Sequence, residues 1–439
     1  MSVLLAPFVA AQRWYAAVPD PRVTVRRVDT LIDGWPSLLW VLAEVRGDRG
    51  AGDPQWYQLL LGATAEDPVE LPPACRLGPM PTPRGEAWLF DALADEELAL
   101  AFCNLVQPEA GYTTVRAMPG DHLNTTLVVD EAQVLKVFRR VHEGPNPDAE
   151  VTEALGRVGY GGASVPLKVW RRGRTDLAVL RRMERSRGMG RDLALDSLRE
   201  MFNRRRQPRD CKLDFIDDAE ELGAEVARMH VALAEAFGAE PADGGAWAGD
   251  MAAQLHRVAD GHLDTSAIEA VYRRLAAADD LGAALRVHGD LRLGKALRLS
   301  RTWMILDFEG EPGRPPEERR RPSSPLRDVA GMTRSFHHVA ADALREAEVA
   351  DDELRVLADA WAERNMNAFL SGYASVDDVH RLLPRDRSSR DALLSVFELD
   401  RAVYEVADEL AHRPDLVDLP TRAVERLLAE EDGEGPLPR

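Results

Sequence analysis

The chain has 439 residues, which is enough for two or three domains of ordinary size. Hydrophobic residues make up 45% and charged residues 29%, so a large core can form and wholesale disorder is disfavoured. Lysine and arginine total 55 against 74 acidic residues, a formal net charge of -19. Nothing in this balance attracts phosphate backbones or anionic lipids, so we expect neither a nucleic-acid nor a membrane partner.

The cysteines and the apolar stretches indicate the cellular compartment to expect. Cys75, Cys103 and Cys211 lie far apart without CxxC spacing, which excludes a disulfide framework and a cysteine zinc site. Such cysteine usage suits a reducing compartment, and we expect a cytoplasmic protein. No stretch approaches the roughly 20 apolar residues that a membrane helix needs. The apolar N-terminus lacks a basic start, so we expect a docked helix there rather than a signal peptide.

The predicted elements change from mostly strands to mostly helices along the chain. Up to residue 190 the pattern predicts strands at 22–30, 37–45, 55–61, 125–129, 133–138 and 178–183, a proline-marked loop at 68–83, and helices at 86–105 and 148–158. Beyond it, helices are predicted at 193–205, 217–237, 267–278, 326–347, 353–370, 391–412 and 421–430, with strand character within 285–308 and a solvated loop at 312–325. This order excludes a simple doubly wound sheet and indicates a two-lobed α+β molecule, whose cleft would be the default small-molecule site.

A strand lysine and a helix glutamate form the first candidate pair. Lys136 lies among alternating apolar residues of the predicted strand at 133–138, and Glu150 follows on the next predicted helix. Kinases use such a pair to hold the α- and β-phosphates of ATP. Lysine is scarce in this chain, where Lys136 is one of only four lysines among 55 basic residues. The polar turn before the strand at 125–129 can lay backbone N–H groups over phosphates.

Two aspartates follow in short motifs. Asp290 closes the HGD motif at 288–290, and Asp307 lies in the LDFEG motif at 306–310. Phosphoryl transfer needs one carboxylate to orient and accept the proton of the attacking hydroxyl, and a second to hold Mg²⁺. The two aspartates would supply both groups if their strands are neighbours. Single turn aspartates are common, but the ordered set with Lys136 and Glu150 favours the catalytic interpretation.

These motifs resemble those of the aminoglycoside-phosphotransferase-like kinases. The stretch LDFEGEPGRPPEERRRPSSPLRDVAGM at 306–332 is similar specifically to the bacterial maltokinases. Further similar stretches are QRWY at 12–15, LKVFRR at 135–140, GPNPDAEV at 144–151 and FELDRAVYE at 397–405. The resemblance implies an α+β, protein-kinase-like fold with two lobes. Its domains would be an N-terminal cap subdomain at 1–105, an ATP-binding small lobe at 106–190, and a helical catalytic and sugar-binding lobe at 191–439.

The resemblance also implies an activity and a set of site residues. The activity is ATP- and Mg²⁺-dependent phosphorylation of maltose to maltose 1-phosphate in trehalose and α-glucan metabolism, with trehalose synthase as a partner. Asp290 would be the catalytic base and Asp307 the metal ligand, with Glu309 as a further ligand. The nucleotide would contact Lys136, its partner Glu150, Asn124, Thr125, Thr126 and Met183. The sugar would contact Arg401, Tyr404, Glu405 and Asp408.

The catalytic loop departs from the family pattern HGDxHLGQ. Arg292 stands at the histidine position and Lys295 at the glutamine position. The glutamine would give an amide oxygen to Mg²⁺, and an ammonium has no lone pair to give. A single positive charge about 4 Å from a divalent ion costs on the order of 8 kcal/mol at an effective dielectric of about 20. Altered Mg²⁺ use therefore stays open, as does a pseudokinase that acts as a regulatory partner.

The predicted sugar-binding helix departs from the family as well. Asp408 replaces a second tyrosine, and Leu416 replaces the tryptophan of the family's R-P-x-W. Aromatic faces are platforms for sugar C–H surfaces, so their loss weakens the case for a disaccharide. An amino-sugar kinase of the glucosamine type is the alternative, with Asp408 receiving the amino group. Asp408 could instead pair with His412 one helical turn away.

Overall fold

The computed structural model divides the chain into two compact units. The first comprises Met1–Glu153 and Val165–Glu184, and the second comprises Ala154–Ser164 and Arg185–Arg439. The predicted cap and small lobe fall largely in the first unit, and the boundary between them at residues 105 and 106 stays a prediction. The residues described are 1–15, 21–47, 54–82, 85–118, 123–258, 263–312, 314–347, 351–412 and 416–433.

The N-terminal part of the first unit is an antiparallel sheet with a helix on either side of it in sequence. Its elements are α1 (Ser2–Ala10), β1 (Arg22–Ile32), β2 (Ser37–Arg46), β3 (Gln55–Thr64), β4 (Arg76–Thr82), β5 (Gly85–Asp91) and α2 (Glu96–Val106). The strand order is β1-β2-β3-β5-β4. The predicted strands at 22–30, 37–45 and 55–61 and the N-terminal helix are confirmed. Leu5 and Phe8 of α1 are buried in one cluster with Trp14 and Tyr57.

Two predictions in this part are wrong. The helix predicted at 86–105 begins only at Glu96, where the Asp95 carboxylate accepts a hydrogen bond from the Leu98 amide at 2.8 Å. Before it, β5 lies between β3 and β4, and this strand pairing overrides the helical spacing of its apolar residues. The loop predicted at 68–83 contains β4. Pro79 and Pro81 are tolerated there because β4 is an edge strand, where a missing N–H costs little.

The rest of the first unit is a second antiparallel sheet, which carries Lys136. The elements from residue 115 to residue 182 are β6 (Val115–Met118), β7 (Asn124–Val129), β8 (Gln133–Phe138), β9 (Arg140–Val141), α3 (Pro147–Arg157), β10 (Lys168–Arg172) and β11 (Thr175–Arg182), and α3 belongs to the second unit from Ala154 onward. The order is β10-β11-β8-β7-β6, while β9 pairs with β3. The predicted hairpin is confirmed, and Asp130 and Glu131 make its turn with φ of 49° and 48°. Strand β10 was not predicted.

One apolar cluster joins both sheets of the first unit through α2. Leu60 of β3, Phe102 of α2 and Val137 of β8 are fully buried members of it. Burying side chains of this size contributes roughly 1.5–3 kcal/mol each. The strand that carries Lys136 is therefore anchored in a core that it shares with the N-terminal sheet.

The second unit is mostly helical. The helices predicted from residue 193 onward are confirmed. The helix at 244–258 was not predicted, and Val287, where strand character was predicted, lies outside the strand at 283–285. Its elements are β12 (Gly188–Met189), α4 (Gly190–Arg204), α5 (Ile216–Phe237), β13 (Ala239–Pro241), α6 (Gly244–Val258), α7 (Thr265–Ala276), β14 (Ala283–Leu285), β15 (Ala296–Arg298), β16 (Trp303–Ile305), α8 (Pro316–Arg319), α9 (Leu326–Glu346), α10 (Asp352–Ala374), α11 (Arg387–His412) and α12 (Asp418–Gly433).

Close helix packing fixes the frame of this unit. Gly223 of α5 and Gly372 of α10 let the two backbones touch, since a Cβ at either position would lie 1.9 Å from a carbonyl oxygen of the other helix. Phe336 of α9 packs against Trp361 and Phe369 of α10. Helix α9 is thereby held firmly in the core, with its first turn beside the catalytic-loop candidate.

Candidate active site

Lys136 is a buried cation on the second sheet. Its Nζ lies 3.4 Å from Oδ2 of Asp148, in the first turn of α3. The same oxygen accepts a hydrogen bond from Nη1 of Arg181 at 3.0 Å. Val179 is the cross-strand partner of Lys136, so Arg181, two residues further on β11, projects from the same face of the sheet. Two cations thus share the Asp148 carboxylate.

The sequence predicts an acidic partner for Lys136 on this helix but names Glu150. Asp148 makes the ion pair described above, and the half-buried Glu150 lies two residues later on α3. A contact of Glu150 with Lys136 stays a prediction. Asp148 was missed, although Asn146 caps its amide at 2.9 Å and signals a helix start.

The predicted phosphate turn is described only from Leu123 onward, because residues 120–122 lie outside the described ranges. Asn124 and Thr126 are buried on β7, and Thr126 is the direct cross-strand partner of Lys136. Thr125 points to the opposite face of the strand, so a side-chain role at the Lys136 face falls to its neighbours.

Arg139 connects the Thr125 strand to the N-terminal sheet. Its Nε donates to Thr125 Oγ1 at 2.8 Å, and its Nη2 lies 2.7 Å from Asp91 Oδ2 at the end of β5. The guanidinium also lies 5.3 Å from the ring centroid of Trp14. Arg139 is only 1% exposed, so its buried charge has to be stabilised by these partners.

Met183, the predicted hinge contact, directly follows β11. It is half-buried, and its amide donates to the carbonyl of Ala132 at 2.8 Å. This bond ties the segment to the β7–β8 turn. A contact of Met183 with a nucleotide base stays a prediction.

The HGD motif of the second unit forms a loop anchored on a buried aspartate of α9. Asp328 accepts hydrogen bonds from the amides of His288 and Gly289, both at 2.8 Å, and lies 3.0 Å from His230 Nε2. Burial alone would raise the pKa of Asp328, but the His230 hydrogen bond and the other donors lower it. Gly289 has a φ of +83°, a conformation that favours glycine. His288 Nε2 donates to the carbonyl of Leu306 at 2.9 Å, which links the two aspartate motifs.

Asp290 is held by arginines on both oxygens. Its Oδ1 accepts a hydrogen bond from Nη2 of Arg401 on α11 at 3.1 Å, and its Oδ2 lies 3.7 Å from Nη2 of Arg292. The residue is 6% exposed. The carboxylate is thus fixed in orientation, which suits a group that has to align one hydroxyl.

Asp307 and Glu309 form the predicted metal-binding pair. Their carboxylate oxygens lie within 4.8 Å of one another, and both side chains are half-buried. Paired carboxylates of this kind fit Mg²⁺, which prefers oxygen ligands. Asp307 has a φ of +63°, a conformation that aspartate tolerates better than most residues. Its Oδ2 also lies 2.7 Å from Nζ of Lys295.

A buried ionic cluster lies behind Asp290 and corrects the prediction of a solvated loop at 312–325. Arg314 is 7% exposed and pairs with Glu311, and its Nη2 lies 3.5 Å from Asp400 Oδ2. Burial alone would raise the pKa of Glu311, but Arg327, Arg314 and Arg401 lower it to about 2. The loop is buried at Arg314, whose carboxylate partners Glu311 and Asp400 the local sequence does not indicate, while Arg321 of the same loop is exposed.

Glu311→Gln is expected to destabilise the fold and to make it less sensitive to acid. The wild-type carboxylate stabilises the folded state fully above pH 4.5, and this contribution is lost as the pH falls from about 4.5 to about 2. The difference in unfolding free energy between wild type and variant should therefore narrow by about 1.4 kcal/mol per pH unit in that window. Urea unfolding at neutral pH and at about pH 3.5 measures this, with the half-exposed Glu346→Gln as the control. A difference independent of pH would contradict the assignment.

The predicted sugar-binding residues of α11 differ in what they contact. Glu405 is buried and pairs with Arg334 at 2.6 Å and His338 at 2.9 Å, so it supports the fold of the site. Burial alone would raise the pKa of Glu405, but these partners hold it well below its ordinary value. Tyr404 is half-buried with the Arg401 guanidinium 5.1 Å from its ring centroid, and Asp408 is exposed.

Two positions singled out at the sugar end lie outside the description. The side chain of His412 and residues 413–415 are not among the described parts, so the alternative pairing of Asp408 stays a prediction.

The described helices include none that is both long enough and apolar enough to cross a membrane.

Known proteins match different parts of this chain. Residues 8–95 match the family model of the maltokinase N-terminal cap domain. Glucosamine kinase of Mycolicibacterium smegmatis is 28% identical over 330 residues, which cover 72% of this chain and 80% of that relative. Glucosamine kinase of Streptacidiphilus jiangxiensis is 26% identical over 340 residues, which cover 73% and 75%.

Solved structures match nearly the whole chain. A glucosamine kinase in complex with glucosamine, ADP and inorganic phosphate has a TM-score of 0.62 at 22% identity, covering 97% of this chain and 99% of its own. A second glucosamine kinase structure, crystal form A, has a TM-score of 0.65 and covers 98% of each chain. The fold is therefore the aminoglycoside-phosphotransferase-like kinase fold, as predicted. The predicted resemblance to the maltokinases is confirmed for residues 8–95, which match the cap-domain model.

Proposed function

We propose that this chain is an ATP-dependent kinase that phosphorylates a hydroxyl group of an amino sugar of the glucosamine type. The observation that carries the proposal is the HGD loop, which Asp328 anchors and which holds Asp290 with both oxygens oriented. A fixed carboxylate in this loop, followed by the Asp307–Glu309 pair, is what phosphoryl transfer to a hydroxyl requires.

The described residues take distinct roles in this reaction. Lys136, backed by Asp148, binds phosphate oxygens of ATP, and Arg181 keeps Asp148 in place. Asp290 orients the sugar hydroxyl and accepts its proton. Asp307 and Glu309 would hold Mg²⁺, which when bound neutralises charge on the phosphates.

Three observations favour an amino sugar over maltose as the acceptor. The two relatives described above are glucosamine kinases, and each match covers more than two thirds of this chain. The exposed carboxylate of Asp408 lies one helical turn from Tyr404, at a position where an ammonium group would find a partner. Two of the aromatic residues that a disaccharide would stack on in the maltokinases are Asp408 and Leu416 here, while Tyr404 is retained.

Maltose is the second candidate, and the match of residues 8–95 to the maltokinase cap favours it. The cap does not contain Asp290 or the α11 side chains, so its match indicates common descent with the maltokinases more than it indicates which sugar is the acceptor. The third candidate is a pseudokinase that only binds a partner, and it is suggested by Arg292 and Lys295 in the catalytic loop.

ATP-dependent phosphorylation of glucosamine, glucose and maltose by the full chain tests the proposal. We expect kcat/KM for glucosamine to exceed that for maltose by at least about tenfold, because only glucosamine carries an ammonium group for the Asp408 carboxylate to bind. ³¹P NMR identifies the product, and Asp408→Asn should reduce the preference for glucosamine over glucose.

The outcomes separate the three candidates. Maltose as the best acceptor would overturn the amino-sugar assignment and restore the maltokinase one. Binding of ATP without transfer to any sugar would support the pseudokinase.

A further inference from the structure

The β15–β16 hairpin brings an ammonium group onto the predicted metal ligand. Ala296 pairs with Ile305, and the Leu306 amide donates to the Lys295 carbonyl at 2.9 Å, so residues 295 and 307 flank the open end of the hairpin. Nζ of Lys295 lies 2.7 Å from Oδ2 of Asp307. The register of a paired hairpin sets this contact, which is therefore a built feature rather than a chance surface approach.

The ion pair is sheltered from solvent mainly on its lysine side. The Lys295 side chain is 17% exposed and that of Asp307 is 36% exposed. An ammonium offers three donors and no lone pair, so Lys295 cannot serve as a ligand to any cation. A divalent ion on Oδ2 of Asp307 would instead meet the repulsion of a neighbouring positive charge.

The same turn carries a second carboxylate. Lys295 contacts Oδ2 of Asp307, and carboxylate oxygens of Asp307 and Glu309 lie within 4.8 Å of each other. Kinases that use two Mg²⁺ ions hold the second with an amide side chain of the catalytic loop. Here the catalytic loop carries Lys295 instead of such an amide.

We propose that the Lys295 ammonium takes the place of the second divalent cation, so that this kinase binds its nucleotide with one metal ion. The inference rests on the proposed function, since it presumes a nucleotide site. The fixed charge of Lys295 supplies part of the positive charge that a second metal ion supplies in kinases with two ions. This charge is present at any metal concentration.

Counting bound Mn²⁺ tests this directly. The full chain is saturated with a non-hydrolysable ATP analogue and titrated with Mn²⁺, and electron paramagnetic resonance measures the free ion. We expect about one Mn²⁺ per chain for the wild type and about two for Lys295→Gln, which restores an amide oxygen and removes the charge. Lys295→Arg should stay at about one. Lys212→Gln removes the same charge from an exposed position of the second unit and should match the wild type.

The possible results are distinguishable. Two Mn²⁺ in the wild type, or one in both wild type and Lys295→Gln, would overturn the inference and leave the kinase proposal intact. No binding of the ATP analogue by the wild type would overturn the proposed function itself, and the inference with it.

Discussion

Asp290→Asn is expected to lower kcat for sugar phosphorylation by roughly 10²–10⁴-fold, the usual contribution of a general base. The amide keeps the shape of the carboxylate but cannot accept the hydroxyl proton. Arg401 retains Glu311 and Glu405 as partners, so we expect the fold to survive the substitution. Nucleotide affinity should change little, because Asp290 acts on the acceptor. Steady-state kinetics and calorimetric titration with ADP measure the two effects.

A matched control distinguishes loss of the base from loss of charge. Asp279→Asn makes the same chemical change at an exposed position after α7 and should leave kcat unchanged. Equal activity of Asp290→Asn and the wild type would remove Asp290 from the mechanism. A loss of ADP affinity as large as the loss of kcat would instead place Asp290 on the nucleotide.

Asp328→Ala is expected to cost on the order of 3–5 kcal/mol of unfolding free energy and to abolish activity. Asp328 is 1% exposed, and its removal leaves the amides of His288 and Gly289 and the ring of His230 without their acceptor. A buried donor that loses its acceptor costs about 1–3 kcal/mol. The HGD loop loses its anchor at the same time. Urea unfolding and a phosphorylation assay measure the two losses.

The same helix offers the control for this prediction. Asp342 of α9 pairs with Arg191 and Arg345 near the surface, so Asp342→Ala should cost no more than about 1 kcal/mol. Asp328→Asn keeps one acceptor oxygen and should fall between the two alanine variants. If Asp328→Ala and Asp342→Ala are equally stable, the anchoring role of Asp328 is refuted.

The sequence predicts elements well where one local pattern decides them. The hairpin around Asp130 and the long helices of the second unit have clear periodicity and breakers, and they are confirmed. The sequence predicts a helix at the position of β5 because Trp88 and Leu89 fit helical spacing with the residues of α2. Only pairing with β3 and β4, at distant positions in the sequence, decides that the chain is extended there.

The sequence points to candidate site residues, whose roles stay predictions, but not to the residues that support them. Lys136, Asp290 and Asp307 stand out because their motifs are short and local. Asp328 lies 40 residues after His288, and only the folded chain shows that they meet. In the sequence, Asp328 is recognisable only as the single acidic residue in the mostly apolar first turns of α9. The sequence indicates Glu150 and misses Asp148 because spacing does not tell which side of a first helical turn faces the sheet.

Arg139 bears on whether the N-terminal region can be treated as a detachable module. Its guanidinium is neutralised by Asp91 and covered by Trp14, both of which lie within the region that matches the cap model. Excising that region would leave the buried cation of Arg139, which directly follows β8, without Asp91 and Trp14, and would remove Leu60 and Phe90 from the apolar cluster that contains Phe102 and Val137. Residues 1–95 therefore belong to the folding unit of the sheet that carries Lys136, and a shortened chain would have to retain them.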